Sequence, residues 1–332
     1  MLEPEALPIT VLTGFLGSGK TTLLRRALVA PSLADTAVVI NEIGEIAIDH
    51  HLVDFVDGSV VELPGGCLCC AVREDLARTL RDLLARRDAG EVRPFRRLAV
   101  ETTGLADPAP ILYTFGADPV LDHRLRPARV VTIVDAVAGA ASLDRFPEAA
   151  RQVAVADLLV ISKTDLALCG AYLVTLLEAL SPGAPRLFAR DASDPGAVLF
   201  GGGDTAATAV PAPAPAPDAV HSHGIDAFTV VLGGPMTRFD FARALGKLAG
   251  ARGTDLLRVK GIVAFADRTE RPALVQAAQH TLFAPEWLGG WPADWPSGDR
   301  RGRLVFVVHD IPRSEILAHF AFALPTLWRE ST

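Results

Sequence analysis

The sequence has no uninterrupted apolar run of the roughly 18 residues that a membrane-spanning helix requires, and it opens without the basic and then apolar segments of a secretory signal. Basic residues are also outnumbered: 32 lysines and arginines stand against 39 aspartates and glutamates, for a net charge of −7. A negative surface repels nucleic acid and anionic membranes. We therefore expect no membrane and no nucleic-acid partner, and small ligands or proteins are the expected partners.

Cysteine is rare, with four in 332 residues, and three of the four lie in the segment CLCC at residues 67–70. This distribution argues against a disulfide framework and suits thiolate chemistry in a reducing compartment, so we expect a cytoplasmic protein. The isolated Cys169 is interpreted as a small residue buried in a helix. Half of the residues are hydrophobic, and the length allows two ordinary domains, each with its own core.

Short apolar strands alternate with helical segments over residues 1–200. The predicted strands after the first, which begins at Ile9, are 36–40, 52–56, 59–63, 97–100, 130–134, 158–161 and 186–189, with helices at 21–30, 73–87 and 168–180. This alternation predicts an α/β domain, a P-loop NTPase domain with a mostly parallel sheet. Residues 201–222 are rich in Gly, Pro and Ala and predict a linker. Residues 223–332 predict a small α+β domain, with strands 228–232, 256–265, 274–280 and 304–308 and helices 240–248 and 314–322.

A glycine-rich segment joins the first strand to the first helix. Gly14, Gly19, Lys20 and Thr21 match the spacing G-x-x-x-x-G-K-[ST], in which backbone N–H groups and a helix N-terminus surround phosphate groups. A chance match is the alternative, but the strand before the loop and the helix after it favour a nucleotide site. We expect Lys20 to neutralise the β- and γ-phosphates and the Thr21 hydroxyl to bind Mg²⁺. The other loop residues expected to contact nucleotide are Gly17, Ser18 and Thr22.

A second motif, ETTG, follows the strand at 97–100. The Glu101 carboxylate would hold the Mg²⁺ shell, and the Gly104 amide could approach a γ-phosphate without a side-chain clash. Alternatively, Glu101 caps the following helix. With Lys20 and Thr21, Glu101 completes the predicted catalytic set.

The segment SKTD at 162–165 resembles the guanine-binding N-K-x-D sequence of GTPases. Asp165 would accept hydrogen bonds from the guanine N1–H and exocyclic amine, which adenine cannot supply, and the Lys163 stem would cover the ring. Ser162 replaces the usual Asn, which leaves one supporting hydrogen bond open. The alternative is a solvated turn in which Asp165 caps a helix.

Cys67, Cys69 and Cys70 cannot all pair with one another, but their thiolates can converge on Zn²⁺, Co²⁺ or Cu⁺. A redox pair or buried structural cysteines are the alternatives. A fourth ligand would come from water or from a nearby side chain, for which the candidates are Glu42, Glu45, His50 and His51.

In combination, these motifs resemble the CobW-type GTPases, metallochaperones related to the nickel-insertion GTPases of urease and hydrogenase. The resemblance covers nearly the whole chain and rests on GFLGSGKTTLL, NEIGEIAID, GGCLCC, ETTGLADPAP, TIVDA, SKTD, HSHGI, RVKGI, VQAAQHTLF and RLVFVV. It implies GTP hydrolysis coupled to delivery of zinc or cobalt to a client metalloprotein, with Cys67, Cys69 and Cys70 as the metal site. It also implies that residues 41–49 form a nucleotide-sensitive switch.

We therefore predict a GTP-hydrolysing metallochaperone. Two alternatives stay open: a zinc-responsive GTPase regulator that delivers nothing, and an ATP-using component of cobalt insertion in cobalamin synthesis. No Gln or Arg can be singled out to position the attacking water, which predicts slow unaided turnover. The oligomeric state is also open, with a homodimer among the alternatives.

Overall fold

A computed structural model of the chain describes residues 6–28, 35–40, 60–62, 69–126, 129–182, 184–191, 194–200, 223–292, 295 and 300–325. The chain forms two compact units, one of residues 1–174 and 185–203 and the other of residues 175–184 and 204–332. The predicted linker at 201–222 lies outside the described residues. The proposed division into 1–200, 201–222 and 223–332 therefore stays a prediction.

The first unit contains a sheet of seven parallel strands. They are β1 Ile9–Thr13, β2 Thr36–Ile40, β3 Val60–Glu62, β4 Arg97–Glu101, β5 Arg129–Asp135, β6 Leu158–Ser162 and β7 Arg186–Phe188. Their order across the sheet is β3-β2-β4-β1-β5-β6-β7. Strands β1, β2 and β6 are buried along their whole length because they consist of apolar residues with only a few Thr and Ser, as suits a sheet covered on both faces. The predicted α/β fold is confirmed. The strand predicted at 52–56 lies outside the described residues.

Eight helices are described between these strands or after the last one: α1 Lys20–Leu28, α2 Cys69–Asp88, α3 Ala109–Ala117, α4 Pro119–Arg124, α5 Gly139–Arg145, α6 Pro147–Ala154, α7 Ala171–Leu180 and α8 Pro195–Phe200. Helix α1 buries Leu23, Leu24 and Ala27 in a core shared with Ile133 and Val160 of the sheet. This packing fixes the first turn of α1 at the end of β1. Helix α2 begins four residues before the predicted start, so Cys69 and Cys70 are its first two residues. Among the described helices, none is both long and apolar enough to cross a membrane.

The second unit is built on an antiparallel sheet. Its elements are β8 Ile225–Val231, α9 Arg238–Arg252, β9 Leu256–Val263, β10 Ala273–Ala278, β11 Thr281–Leu282, β12 Glu286–Trp287, β13 Arg303–His309 and α10 Arg313–His319. The strand order is β11-β10-β9-β13-β8, and β12 also pairs with β10. Helix α9 begins after Thr237, whose hydroxyl accepts the Asp240 N–H at 3.0 Å. The predicted α+β architecture is confirmed.

Candidate functional site

The phosphate loop between β1 and α1 has a backbone that glycine favours. Gly14, Gly17 and Gly19 have φ values of 143°, 71° and 100°, in the left-handed region. At Gly14 a Cβ atom would lie 2.4 Å from the Ile133 carbonyl oxygen, whereas at Gly17 it would meet no atom within 4 Å. The loop therefore packs directly on β5 at Gly14, and the spacing of the motif reflects this contact.

These two glycines allow a stability test of the loop geometry. We expect Gly14→Ala to lower the free energy of unfolding by about 3 kcal/mol, because it combines a strained φ with a clash against fixed backbone. Gly17→Ala, the matched control, carries only the conformational cost of about 1 kcal/mol. Urea unfolding of the two variants measures the difference. Equal losses would contradict the loop geometry described here.

Lys20 and Thr21 form the first turn of α1. The Lys20 side chain is buried, and its Nζ donates to the Gly14 carbonyl at 2.8 Å and more weakly to the Phe15 carbonyl at 3.4 Å. The ammonium group thus lies within the loop that is expected to surround phosphate. Thr21 Oγ1 donates to Glu101 Oε1 at 2.7 Å.

The contact between Thr21 and Glu101 joins two motifs that are 80 residues apart in sequence. It forms because β1 and β4 are neighbours in register, with Leu12 opposite Glu101. Glu101 is fully buried. A hydroxyl and a carboxylate held this close are oxygen ligands of the kind that Mg²⁺ prefers. The residues present therefore fit the Mg²⁺ ion that the sequence predicts.

Gly104 lies against the phosphate loop. A Cβ atom there would lie 2.6 Å from Leu16 Cδ2 and 2.8 Å from the Leu16 backbone nitrogen. Only a residue without a side chain allows this approach of the two backbones. The structure thus brings Gly104 to the phosphate loop, while its contact with nucleotide stays a prediction.

The segment SKTD begins at the last residue of β6, where a cleft of about 380 Å³ opens beside the phosphate loop. Residues from both motifs line this cleft, among them Gly19, Thr22, Lys163 and Asp165. The Ser162 hydroxyl donates to the Ser18 carbonyl of the phosphate loop at 2.6 Å. Ser162 therefore supplies a hydrogen bond between the two motifs, although it stands where asparagine is usual.

Asp135, to which the sequence motifs assign no role, lies beside Lys163. Asp135 Oδ2 forms an ion pair with Lys163 Nζ, and Asp135 Oδ1 accepts the Val137 N–H at 2.7 Å. The Lys163 backbone has a φ of 54°. Asp135 ends an apolar strand on the same edge of the sheet as Ser162, which is the signal that could have found it.

Most of the predicted metal site lies outside the described residues. This applies to Glu42, Glu45, Cys67, His50, His51 and the switch segment at 41–49, whereas Cys69 and Cys70 are described only as backbone at the start of α2. Among the residues that the structure describes, no group of three or more His, Cys, Asp or Glu side chains could hold a metal ion. The metal ligands stay a prediction.

The interpretation of Cys169 was partly wrong. Cys169 is half-buried and precedes α7, which begins at Ala171 because Gly170 is poorly suited to a helix. Partial burial raises the pKa of the Cys169 thiol, and Arg186 offsets this in part. Cys169 is therefore a poor thiolate ligand and a suitable control for the three clustered cysteines.

Two models of known protein families match this chain. The family model described as "CobW/HypB/UreG, nucleotide-binding domain" matches residues 8–185, which include the phosphate loop, Glu101 and Asp165. The chain belongs to this family. The model of the cobalamin synthesis protein CobW C-terminal domain matches residues 225–324, so the CobW organisation extends over both units. The predicted resemblance is confirmed.

Similar proteins cover the chain almost completely. The zinc chaperone YjiA of Escherichia coli strain K12 is 32% identical over 322 residues, 95% of this chain and 98% of YjiA. The zinc chaperone CobW of a Sinorhizobium species is 29% identical over 358 aligned positions, with 94% and 96% of the two chains covered. The crystal structure of the Zn(II)-bound YjiA GTPase from E. coli superposes with a TM-score of 0.68 at 28% identity, covering 96% and 99% of the chains. The chain therefore shares its fold with the YjiA GTPase.

Proposed function

We propose that this CobW family protein is a GTP-hydrolysing metallochaperone. It binds zinc or cobalt at Cys67, Cys69 and Cys70 and delivers the metal to a client metalloprotein under the control of the bound nucleotide. The prediction of a GTPase is confirmed by the similar proteins, among them the YjiA GTPase. The observation that carries the rest of the proposal is the hydrogen bond from Thr21 to Glu101, at the sheet edge from which the metal segment departs.

Strand register supports this coupling. Ile40, the last residue of β2, pairs with Glu101 on one side and with Glu62, the last residue of β3, on the other. The chain that continues to Glu42 and Glu45 therefore leaves the sheet next to Glu101, and the chain that continues to Cys67 leaves it one strand further away. A nucleotide-dependent change at Glu101 can act on both segments through short stretches of backbone. Release of phosphate would then alter the metal site.

Different residues bind the different parts of the nucleotide. Lys20 and the loop N–H groups bind phosphates, Thr21 and Glu101 would hold Mg²⁺, and Asp165 and Lys163 bind guanine. When bound, Mg²⁺ supplies positive charge that neutralises the phosphate oxygens. Since no water-positioning Gln or Arg is assigned, we propose slow intrinsic turnover.

The chemistry of the metal segment favours a soft or borderline ion. Thiolates of Cys67, Cys69 and Cys70 with one oxygen ligand, from Glu42 or Glu45, would suit zinc with an exchangeable position. The description of YjiA and CobW as zinc chaperones supports zinc as the cargo. A metal site of three thiolates, as proposed here, would also favour a cytoplasmic location. We propose a homodimer as the oligomeric state to be tested against a monomer.

The experiment that tests this function measures Zn²⁺ affinity by competition with a chromophoric chelator, in GDP and in a non-hydrolysable GTP analogue. We expect tighter binding in the GTP form by about tenfold, since allosteric coupling is worth about 1–3 kcal/mol. The variant with Cys67, Cys69 and Cys70 replaced by Ser should lose this binding. Cys169→Ser should bind zinc like the wild type.

Two outcomes would overturn the proposal. Equal zinc affinities in the two nucleotide forms would leave a GTPase with a static metal site. Retention of zinc binding in the triple Ser variant would exclude the three cysteines as ligands. Transfer of bound zinc to an apo-metalloprotein, measured once gating is established, separates a chaperone from a regulator that delivers nothing.

A further inference from the structure

Gln152 of α6 is a fully buried polar residue whose side-chain amide donates hydrogen bonds to a single loop. Its Nε2 donates to the Gly104 carbonyl at 3.1 Å and to the Ala106 carbonyl at 3.0 Å. Burial of a glutamine amide costs free energy unless hydrogen bonds compensate. Both N–H groups of this amide bind the loop at 104–107, which begins at the last residue of the ETTG motif. The loop therefore depends on α6 for its shape.

Helix α6 is itself held in place on the sheet. Thr132 Oγ1 of β5 donates to the Gln152 backbone carbonyl at 2.7 Å, a buried hydrogen bond. One residue earlier in α6, Arg151 Nη1 contacts Asp107 Oδ2 at 3.2 Å, at the end of the same loop. Three side-chain contacts from two successive residues of α6 thus bind the loop at 104–107 to the core of the first unit.

These contacts determine where Gly104 lies. Leu16 of the phosphate loop meets Gly104 so closely that a Cβ atom would lie 2.8 Å from the Leu16 nitrogen. Gln152 holds the carbonyl of the same glycine. Because the peptide unit is planar, fixing the Gly104 carbonyl also fixes the direction of the next N–H group. The peptide unit between Gly104 and Leu105 is therefore held in one orientation beside the phosphate loop.

We propose that Gln152, assisted by Arg151, is a positioning residue that holds the loop at 104–107 ready for the γ-phosphate of GTP. This inference rests on the proposed approach of Gly104 to that phosphate. GDP lacks the γ-phosphate, so the contacts of α6 with the loop favour GTP over GDP. The gain in affinity comes from preorganisation, because the loop at 104–107 is already ordered before the nucleotide binds.

The test compares affinities for a fluorescent non-hydrolysable GTP analogue and for fluorescent GDP. Gln152→Met keeps the length and volume of the side chain and removes both N–H donors. We expect it to weaken binding of the GTP analogue about tenfold, equivalent to about 1.4 kcal/mol, and to change GDP affinity less than twofold. Val153→Ala, the matched control, removes buried volume from the next residue of α6, so it lowers the melting temperature without changing the ratio of the two affinities.

A second variant protects the test against misfolding. Arg151→Ala changes a partly exposed side chain, and we expect it to weaken binding of the GTP analogue about threefold with GDP unchanged. Equal weakening of both nucleotides by Gln152→Met, or no change in either, would overturn the proposal. Failure of the chaperone proposal is distinguishable, because it would appear as nucleotide-independent zinc affinity while these nucleotide affinities still follow the pattern expected here.

Discussion

Replacement of Lys20 by alanine is expected to lower kcat/KM for GTP hydrolysis by about 10³-fold. This is the upper end of the range for loss of one preorganised hydrogen-bond donor. The Lys20 ammonium is buried within the phosphate loop, 2.8 Å from the Gly14 carbonyl. A charge held there, away from bulk water, stabilises developing negative charge on the phosphates more strongly than an exposed one. Release of inorganic phosphate from GTP, measured with excess enzyme, gives the rate.

Lys247→Ala is the control for this variant, because Lys247 is exposed on α9 in the second unit. It should hydrolyse GTP at the wild-type rate. Thermal unfolding of Lys20→Ala establishes that the first unit is folded. A rate within tenfold of the wild type in a folded Lys20→Ala protein would show that the loop between β1 and α1 is not the site of the reacting phosphates.

Asp165→Asn should change the base that the protein prefers. Loss of the carboxylate removes the acceptor for the guanine N1–H and exocyclic amine, and we expect GTP affinity to fall about 10²-fold. Xanthine carries a carbonyl where guanine carries the amine, so the Asn amide can donate to it. Xanthosine triphosphate should therefore bind the variant more tightly than GTP does. Competition against a fluorescent GTP analogue measures both affinities.

Asp144→Asn provides a matched change of charge away from the cleft, since Asp144 accepts a hydrogen bond from the Tyr172 hydroxyl at 2.8 Å. It should leave GTP affinity unchanged. Equal affinity of the wild-type protein for ATP and GTP would contradict the assignment of Asp165. It would also favour the alternative of an ATP-using protein of cofactor assembly.

The strands and the phosphate loop could be predicted because their signals are local. The apolar run at 36–40 became β2 with the predicted bounds, and the GSGKT sequence leads into the first turn of α1 as the motif requires. Helices α4 and α6 were missed because they are only 6 and 8 residues long and begin with Pro119 and Pro147. Proline suggests a loop in a sequence, yet it is well suited to the first turn of a helix.

Only the site residues that belong to sequence motifs could be predicted. The meeting of Thr21 with Glu101 follows from the pairing of β1 with β4, whereas the alternation of strands and helices predicted only a mostly parallel sheet. Gln152 lies 48 residues after Gly104, and its role depends on how α6 packs against the sheet. A buried glutamine in an eight-residue helix gives no periodic signal that distinguishes it from a surface residue. Long-range hydrogen bonds of this kind emerge only with the structure.

The positive φ of Lys163 is unfavourable for folding, whereas its side chain serves the proposed recognition of guanine. A residue with a side chain at a φ of 54° costs about 1–2 kcal/mol relative to an ordinary conformation, a cost that glycine would avoid. A chain selected only for folding would place glycine there. Glycine would have no ammonium group to pair with Asp135 and no stem to cover the guanine ring. Thermal stability and the proposed base discrimination therefore favour different residues at this position, and the sequence has the residue that would serve discrimination.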